Sequence, residues 1–174
     1  MRAAQILSLD GPSAIALAEV TAPVPQPDQV LIDVHAAGVT FPDLLMTRGE
    51  YQMKPEPPFI PGCEVGGVVV SAPEGSGLAA GDRVAAFAIL GCFAEQVVAA
   101  PQMTFKLPDR LSYEQGAALP MNYLTVHFAL VFRGRMKAGE TVLIHGAAGG
   151  IGTAAIQVAK AWGAKVIAVV STES

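Results

Sequence analysis

The sequence is short of charge. Only 15% of its 174 residues are Asp, Glu, Lys or Arg, and the net charge at pH 7 is -4; soluble domains average about 25% charged residues. A chain with no basic excess has no electrostatic footprint for nucleic acid, which excludes that partner class. Cysteine is nearly absent. Cys63 and Cys92 alone cannot build a disulfide framework. No run of about eighteen apolar residues occurs, so no membrane partner is expected, and Asp10 and Pro12 interrupt the N-terminal apolar stretch before it can form a signal-peptide core. These absences together point to a cytoplasmic protein with reduced thiols. What is present is a 52% hydrophobic chain with 18 Gly and 13 Pro. It can bury a sizeable core, is far from disordered, and must turn often.

The first hundred or so residues read as β-rich. Runs of strand-forming residues lie at Ala3–Leu9, Ala14–Val20, Gln29–Ala37, Val65–Ser71, Arg83–Ala86 and Ala94–Ala99. Turn signals separate them: Asp10-Gly11-Pro12, Pro23 to Asp28, Pro73 to Gly77, and Gly81-Asp82. Short strands punctuated by Gly and Pro predict a small barrel or sandwich. Phe41–Arg48 predicts a short helix, with Pro42 in its first turn and Gly49 past its end.

After Pro108 the pattern changes. Ser112 is a good N-cap for a helix through Leu119, and Asn122–Phe132 predicts a second helix. The stretch from Gln115 to Phe132 lacks Asp, Glu, Lys and Arg, so it reads as a buried helix. Thr141–His145 and Lys165–Val170 read as apolar strands flanking a helix, Gly150–Trp162, which Gly163 closes.

The most informative segment joins the first of those strands to the helix: Gly146-Ala147-Ala148-Gly149-Gly150-Ile151-Gly152. A strand, a tight Gly-rich turn, a helix and a second strand form a βαβ unit of about thirty residues, the setting a dinucleotide fingerprint requires. One glycine permits the sharp turn, another lets the backbone approach a pyrophosphate, and Gly152 lets helix and strand pack closely. Backbone N–H groups and the helix dipole then face phosphates. The spacing is Gly146-x-x-Gly149-x-x-Gly152, and no Gly-Lys-Ser/Thr is present, which excludes a P-loop. Ser171 and Thr172 end the second strand with small hydroxyls where an acidic residue would bind the ribose of NAD. That favours NADPH, with NADH the lesser option, although Glu173 stands close by.

With this turn placed after a β-rich domain, the chain resembles the medium-chain dehydrogenase/reductase superfamily, and within it the zinc-independent quinone oxidoreductase branch. The resemblance rests on Ala22-Pro23-Val24-Pro25-Gln26-Pro27, Ala37-Gly38-Val39-Thr40-Phe41-Pro42-Asp43, Arg48-Gly49-Glu50-Tyr51, Pro61-Gly62-Cys63-Glu64-Val65-Gly66-Gly67, Gly81-Asp82-Arg83-Val84, Leu119-Pro120-Met121-Asn122-Tyr123-Leu124-Thr125 and the glycine turn. It implies an α+β plus α/β chain: a GroES-like barrel domain at residues 1–110, then residues 111–174 as the first βαβ unit of an incomplete Rossmann domain, with the active site in the cleft between them.

The resemblance also suggests the site. Zinc-dependent relatives carry metal ligands at positions that here hold Thr40, Cys63 and about Met121. One thiol is not a zinc site, since catalytic zinc takes about three protein ligands, so no metal is expected. Cys63 and Cys92 read as small buried hydrophobes, and His35, His127 and His145 as isolated strand or helix residues. Without a Lewis acid the hydride acceptor must itself be electrophilic, as quinones and enones are. The implied catalytic residues are Tyr51 as a hydroxyl donor, Thr40 as a polar contact, and Asp43, which caps or orients. Asn122, Thr125, Gly146, Ala148, Gly149, Gly150, Ile151, Gly152 and Ser171 are the implied cofactor contacts.

Two apolar parallel strands cannot complete a sheet that needs about six. The expectation is therefore an N-terminal portion of a longer chain, whose full-length parent forms a homodimer. The leading reading is an NADPH-dependent quinone reductase. The alternatives are an enoyl-thioester or alkenal reductase, and a non-catalytic fragment using its exposed sheet edge as an interaction module.

Overall fold

The structure is a computed structural model that describes residues 1–171. The chain divides into two compact units, Met1–Pro120 and a second beginning at Met121.

In the first unit, β1 (Arg2–Ile6) and β2 (Ile15–Glu19) form an antiparallel hairpin registered from Arg2↔Glu19 to Ile6↔Ile15. Both strands are shorter than their apolar runs, because Gly11 at φ +96° and a 3₁₀ turn over Pro12–Ala14 take up the intervening residues. The main sheet contains β3 (Val30–Ala37), β4 (Glu64–Ser71), β5 (Arg83–Phe87), β6 (Gln96–Ala99) and β7 (Thr104–Lys106). Its order is β6-β3-β4-β5-β7 and every pairing is antiparallel. The strand β7 has no counterpart in the sequence reading; three residues are too few to display a period-2 pattern. Val30 and Ile32, Val65 and Val69, Val84 and Ala86, and Val97 and Ala99 alternate inward and close the core around Cys92.

Two helices serve this sheet. The first, α1 (Phe41–Met46), connects β3 to the approach of β4. The second, α2 (Tyr113–Ala117), starts from the expected Ser112 cap: Gln115 N–H donates to Ser112 Oγ at 3.2 Å, and Ser112 N–H donates to Gln115 Oε1 at 2.9 Å. This reciprocal box satisfies two orphan donors. The helix stops at Ala117, short of the expected Leu119. It reaches β4 because Gly66 has no side chain; a Cβ there would meet the Tyr113 carbonyl and lie 3.0 Å from the Tyr113 Cα. Arg83 fastens the lead-in to α2. It donates to the carbonyls of Leu111 (2.6 Å) and Pro108 (3.2 Å), and its guanidinium lies 4.7 Å from the Tyr113 ring, on which His35 stacks.

In the second unit, α3 (Pro120–Val126) runs on into a π-helical segment, His127–Arg133. The expected helix is thus present, but its second half is wound differently, with Gly134 N–H donating five residues back to Ala129 O. The expectation of burial is corrected. Phe128 and Phe132 are 56% and 68% exposed and stack on one another at 5.7 Å. Lack of charge made the stretch look like core, but its inward face meets only one small cluster. Next come β8 (Thr141–His145), α4 (Gly150–Ala161) and β9 (Lys165–Val169), with the strands parallel from Thr141↔Lys165 to His145↔Val169. Gly163, at φ +80°, follows the C-cap Trp162 as expected. Val126, Ile144, Ala147, Ala154 and Ala155 form the core of this unit, while Leu143 and Ile167, paired on the other face of the strands, are each 54% exposed. Among the described residues no helix is long and apolar enough to cross a membrane.

Gly66→Ala should lower the stability of the first unit by about 1–3 kcal/mol through overpacking, read as a fall in the urea midpoint; an unchanged midpoint would show that α2 is not seated on β4. Burial raises the pKa of both cysteines, that of Cys63 from 9.0 to about 11. Between those values the unfolded chain loses thiol protons that the folded chain keeps, so stability should fall as pH rises above 9. Cys63→Ala/Cys92→Ala should lose that part of the slope in urea titrations at several pH values.

Candidate functional site

The first cluster grows from the start of α1. Thr40 is its N-cap in extended conformation, and Asp43 stands one turn on. Asp43 Oδ2 accepts from both Thr40 N–H and Thr40 Oγ1, each at 2.7 Å. Asp43 Oδ1 accepts from the Gly62 N–H at 3.1 Å. Gly62 presents that N–H from a φ of +90°, and a side chain on it would run into the Phe93 ring. Asp43 is only 4% exposed. With both oxygens engaged by donors, it holds α1 against the approach to β4 and has no free lone pair facing solvent.

Cys63 follows Gly62, and its Sγ lies 3.8 Å from Thr40 Oγ1. Burial, first, raises its pKa to about 11; the Thr40 hydrogen bond, the next largest influence, works against it, and the nearby Asp43 and Glu64 carboxylates add smaller upward contributions. A thiol so placed is protonated at neutral pH and is a poor nucleophile. Among the described residues, no group of three His, Cys, Asp or Glu side chains is arranged to hold a metal.

The structure therefore brings Thr40 and Asp43 together, as their spacing implied, and adds Gly62 and Cys63. Tyr51 belongs to a different cluster. Its ring packs with Met53 and Leu90 against Ile6, Met46 and Phe59, and its hydroxyl has no hydrogen-bond partner among the described residues.

The second unit carries the glycine turn. Gly146 turns the chain at φ +62°, and Gly149 N–H closes the bend onto Gly146 O at 3.0 Å. Ala147 N–H donates to Val169 O at 3.0 Å and ties the turn to the end of β9. Gly152 is buried beneath the turn; a Cβ there would meet the Gly146 carbonyl oxygen and lie 2.7 Å from the Ala147 carbonyl carbon. The first intrahelical bond is Thr153 N–H to Gly149 O at 2.8 Å. The N–H groups of Gly150, Ile151 and Gly152 precede it and have no acceptor within the helix. Gly149, the N-cap, provides no capping side chain. Gly146, Ala148, Gly149, Gly150 and Ile151 are exposed. An exposed, uncapped helix start with small residues around it suits an anion.

Asn122 sits over this helix start. A Cβ on Gly150 would come within 2.9 Å of its amide nitrogen, a proximity that the long intervening stretch of chain hides from sequence reading. Thr125 is exposed, and its hydroxyl donates to Met121 O at 2.6 Å, so only its lone pairs face outward. Ser171 is exposed just past β9. Thr172 and Glu173, which bear on the choice between NADPH and NADH, lie outside the described residues.

Comparison with known proteins agrees with this geometry. Residues 26–109 match the alcohol dehydrogenase GroES-like domain. Human quinone oxidoreductase is 40% identical over 176 residues, which cover 99% of this chain and 54% of that protein. A probable oxidoreductase from Mycobacterium abscessus superposes with a TM-score of 0.89 at 56% identity, covering 98% of this chain and 55% of its own. The quinone oxidoreductase from Thermus thermophilus, solved also in complex with NADPH, superposes with a TM-score of 0.83 at 40% identity, covering 97% and 52%. The chain thus spans about half the length of the curated relatives it matches. In sequence and in fold, residues 26–109 are thus an alcohol dehydrogenase GroES-like domain, and the chain as a whole is similar to the N-terminal half of quinone oxidoreductases of the medium-chain dehydrogenase/reductase family.

Proposed function

We propose that the chain carries the acceptor-side barrel, residues 1–110, and the dinucleotide turn, within 111–174, of a reductase that moves hydride from NADPH to a quinone or similarly conjugated carbonyl without zinc. The observation that carries this reading is the turn from β8 into α4. Its three N–H groups without helical acceptors, its missing cap and its exposed glycines fit a pyrophosphate. Bound NADPH would supply the hydride. This chain's residues would hold it: the Gly146-to-Gly152 backbone at the phosphates, the Asn122 amide and the outward lone pairs of Thr125 toward the nicotinamide, and Ser171 leaving room for a 2′-phosphate.

Zinc independence rests on the donor set. The matching positions hold a hydroxyl already bonded to Asp43, a single thiol, Cys63, and about Met121, which falls short of three ligands. The acceptor must then spread the incoming charge over its own conjugated system, helped by a modest donor. The unpartnered Tyr51 hydroxyl fits that donor role; Asp43 is a positioning residue. The partner is a small molecule, and the whole protein is proposed to act as a homodimer.

NADPH titrated into the 174-residue chain and followed by cofactor fluorescence should give saturable binding. Gly149→Glu has room for its side chain and an ordinary φ of -78°, so the fold should survive. Its carboxylate at the helix start should weaken binding by roughly tenfold or more. No binding by the unaltered chain would defeat the reading for this chain. In assays of NADPH oxidation, Tyr51→Phe should lower kcat on 1,4-benzoquinone by roughly 10–100-fold with little change in NADPH affinity. Faster turnover of an enoyl thioester than of the quinone would replace quinones with activated alkenes as the substrate class.

A further inference from the structure

We propose that the second unit carries a docking surface for an anionic lipid membrane, formed by the stacked Phe128 and Phe132 rings and by the cations Arg133, Arg135 and Lys137 that follow them. The expectation of no membrane partner rests on the lack of a spanning segment, and lying on a bilayer surface needs none. Docking of this kind does not depend on which acceptor the chain reduces.

The net charge of -4 hides a division. Residues 121–171 hold five cations, Arg133, Arg135, Lys137, Lys160 and Lys165, against the single acid Glu140, so the acidic excess lies in residues 1–120. Three of the five cations stand at 133, 135 and 137, directly after Phe132. The π winding sets the side taken by the first of them. A π turn closes on the fifth residue along, as Gly134 N–H does on Ala129 O at 2.8 Å. It therefore brings Arg133 over Phe128 and beside Phe132, whereas an α-helix would carry it toward the opposite side. Met136 turns inward and is 7% exposed, which leaves the outward side of the chain to its neighbours Arg135 and Lys137, both exposed. Among the described residues none of these three cations has an ion-pair partner. Glu140 is engaged elsewhere, accepting from the Lys137 backbone N–H at 2.8 Å.

The cations decide what can cover the two exposed rings. An apolar protein surface closing over them would bury unpaired charges beside the phenyl groups, which is costly. A lipid surface suits both kinds of group. The rings enter the boundary of the acyl chains, while the guanidinium and ammonium groups stay among anionic headgroups at the ends of their apolar stems. Nucleic acid also offers phosphates, but its bases stack on open aromatic faces. Phe128 and Phe132 turn a face to each other, with centroids 5.7 Å apart and planes inclined by 22°.

Co-sedimentation of the 174-residue chain with lipid vesicles is the test. The chain should pellet with phosphatidylcholine vesicles containing about one-third phosphatidylserine at about 0.1 M salt, come off at about 1 M salt, and ignore vesicles of phosphatidylcholine alone. Arg133→Gln/Arg135→Asn/Lys137→Gln should weaken binding roughly 100-fold; Asn suits the φ of +51° at position 135. Phe128→Ser/Phe132→Ser should weaken it roughly tenfold or more. Arg133→Lys/Lys137→Arg, which keeps the charges, should bind like the unaltered chain. All five side chains are exposed, so each variant should keep the urea midpoint of the unaltered chain. No pelleting with phosphatidylserine, equal pelleting with phosphatidylcholine alone, or undiminished binding by the triple variant overturns the proposal. Tighter binding of polyuridylate than of the vesicles, lost in the triple variant, would assign the patch to single-stranded nucleic acid. A dimer in sedimentation velocity that disappears with the Phe substitutions, without vesicle binding, would assign it to a second copy. Either result overturns the lipid reading and leaves the reductase reading to its own NADPH titration.

Discussion

Backbone packed directly on backbone is the constraint from which both units are built. In the first, α2 rests on β4 where Gly66 has no side chain to hold it off. In the second, the turn after β8 closes over Gly152. Any side chain at either position displaces main chain, which cannot step aside as a flexible side chain can. The consequences are local and chemical. Close seating of α2 fixes the segment that Arg83 latches. Close seating of the turn leaves the first N–H groups of α4 together at its start, with Ile151 the one side chain among them. A chain poor in charge and rich in glycine obtains its polar site chiefly from main-chain donors.

Much of this was legible in residue order. The βαβ unit could be read because strand, glycine spacing and helix are contiguous, and so could the Ser112–Gln115 box, whose partners are three residues apart. The pairing of Thr40 with Asp43 follows the same one-turn logic. What escaped was whatever joins distant segments. Gly62 reaches Asp43 across nineteen residues, Cys63 reaches Thr40 across twenty-three, and Asn122 meets Gly150 only after α3 and α4 have folded. No periodicity announces such contacts. The burial expected for the stretch ending at Phe132 failed for a related reason. Apolar composition says that side chains avoid water, not that a neighbour stands ready to cover them.

The two hydroxyls that family resemblance singles out together, Tyr51 and Thr40, have different physical situations. One has an uncommitted proton at the edge of an apolar cluster; the other has given its proton to a buried carboxylate. Residue type alone would treat them as equivalent polar groups. Their surroundings set them apart, because Asp43 takes the Thr40 proton.

The π-helical segment has a consequence of phase. An α-helix advances about 100° per residue, and each wider π turn takes in an extra residue before its hydrogen bond closes. The chain leaving at Gly134 is therefore rotated, by the order of one residue's angular step, from the path an unbroken α-helix would follow. Met136, buried two residues later, follows directly on that offset. The seven residues from His127 to Arg133 act as an angular spacer, and Arg135 and Gly139, both at positive φ, redirect the chain again before β8 begins.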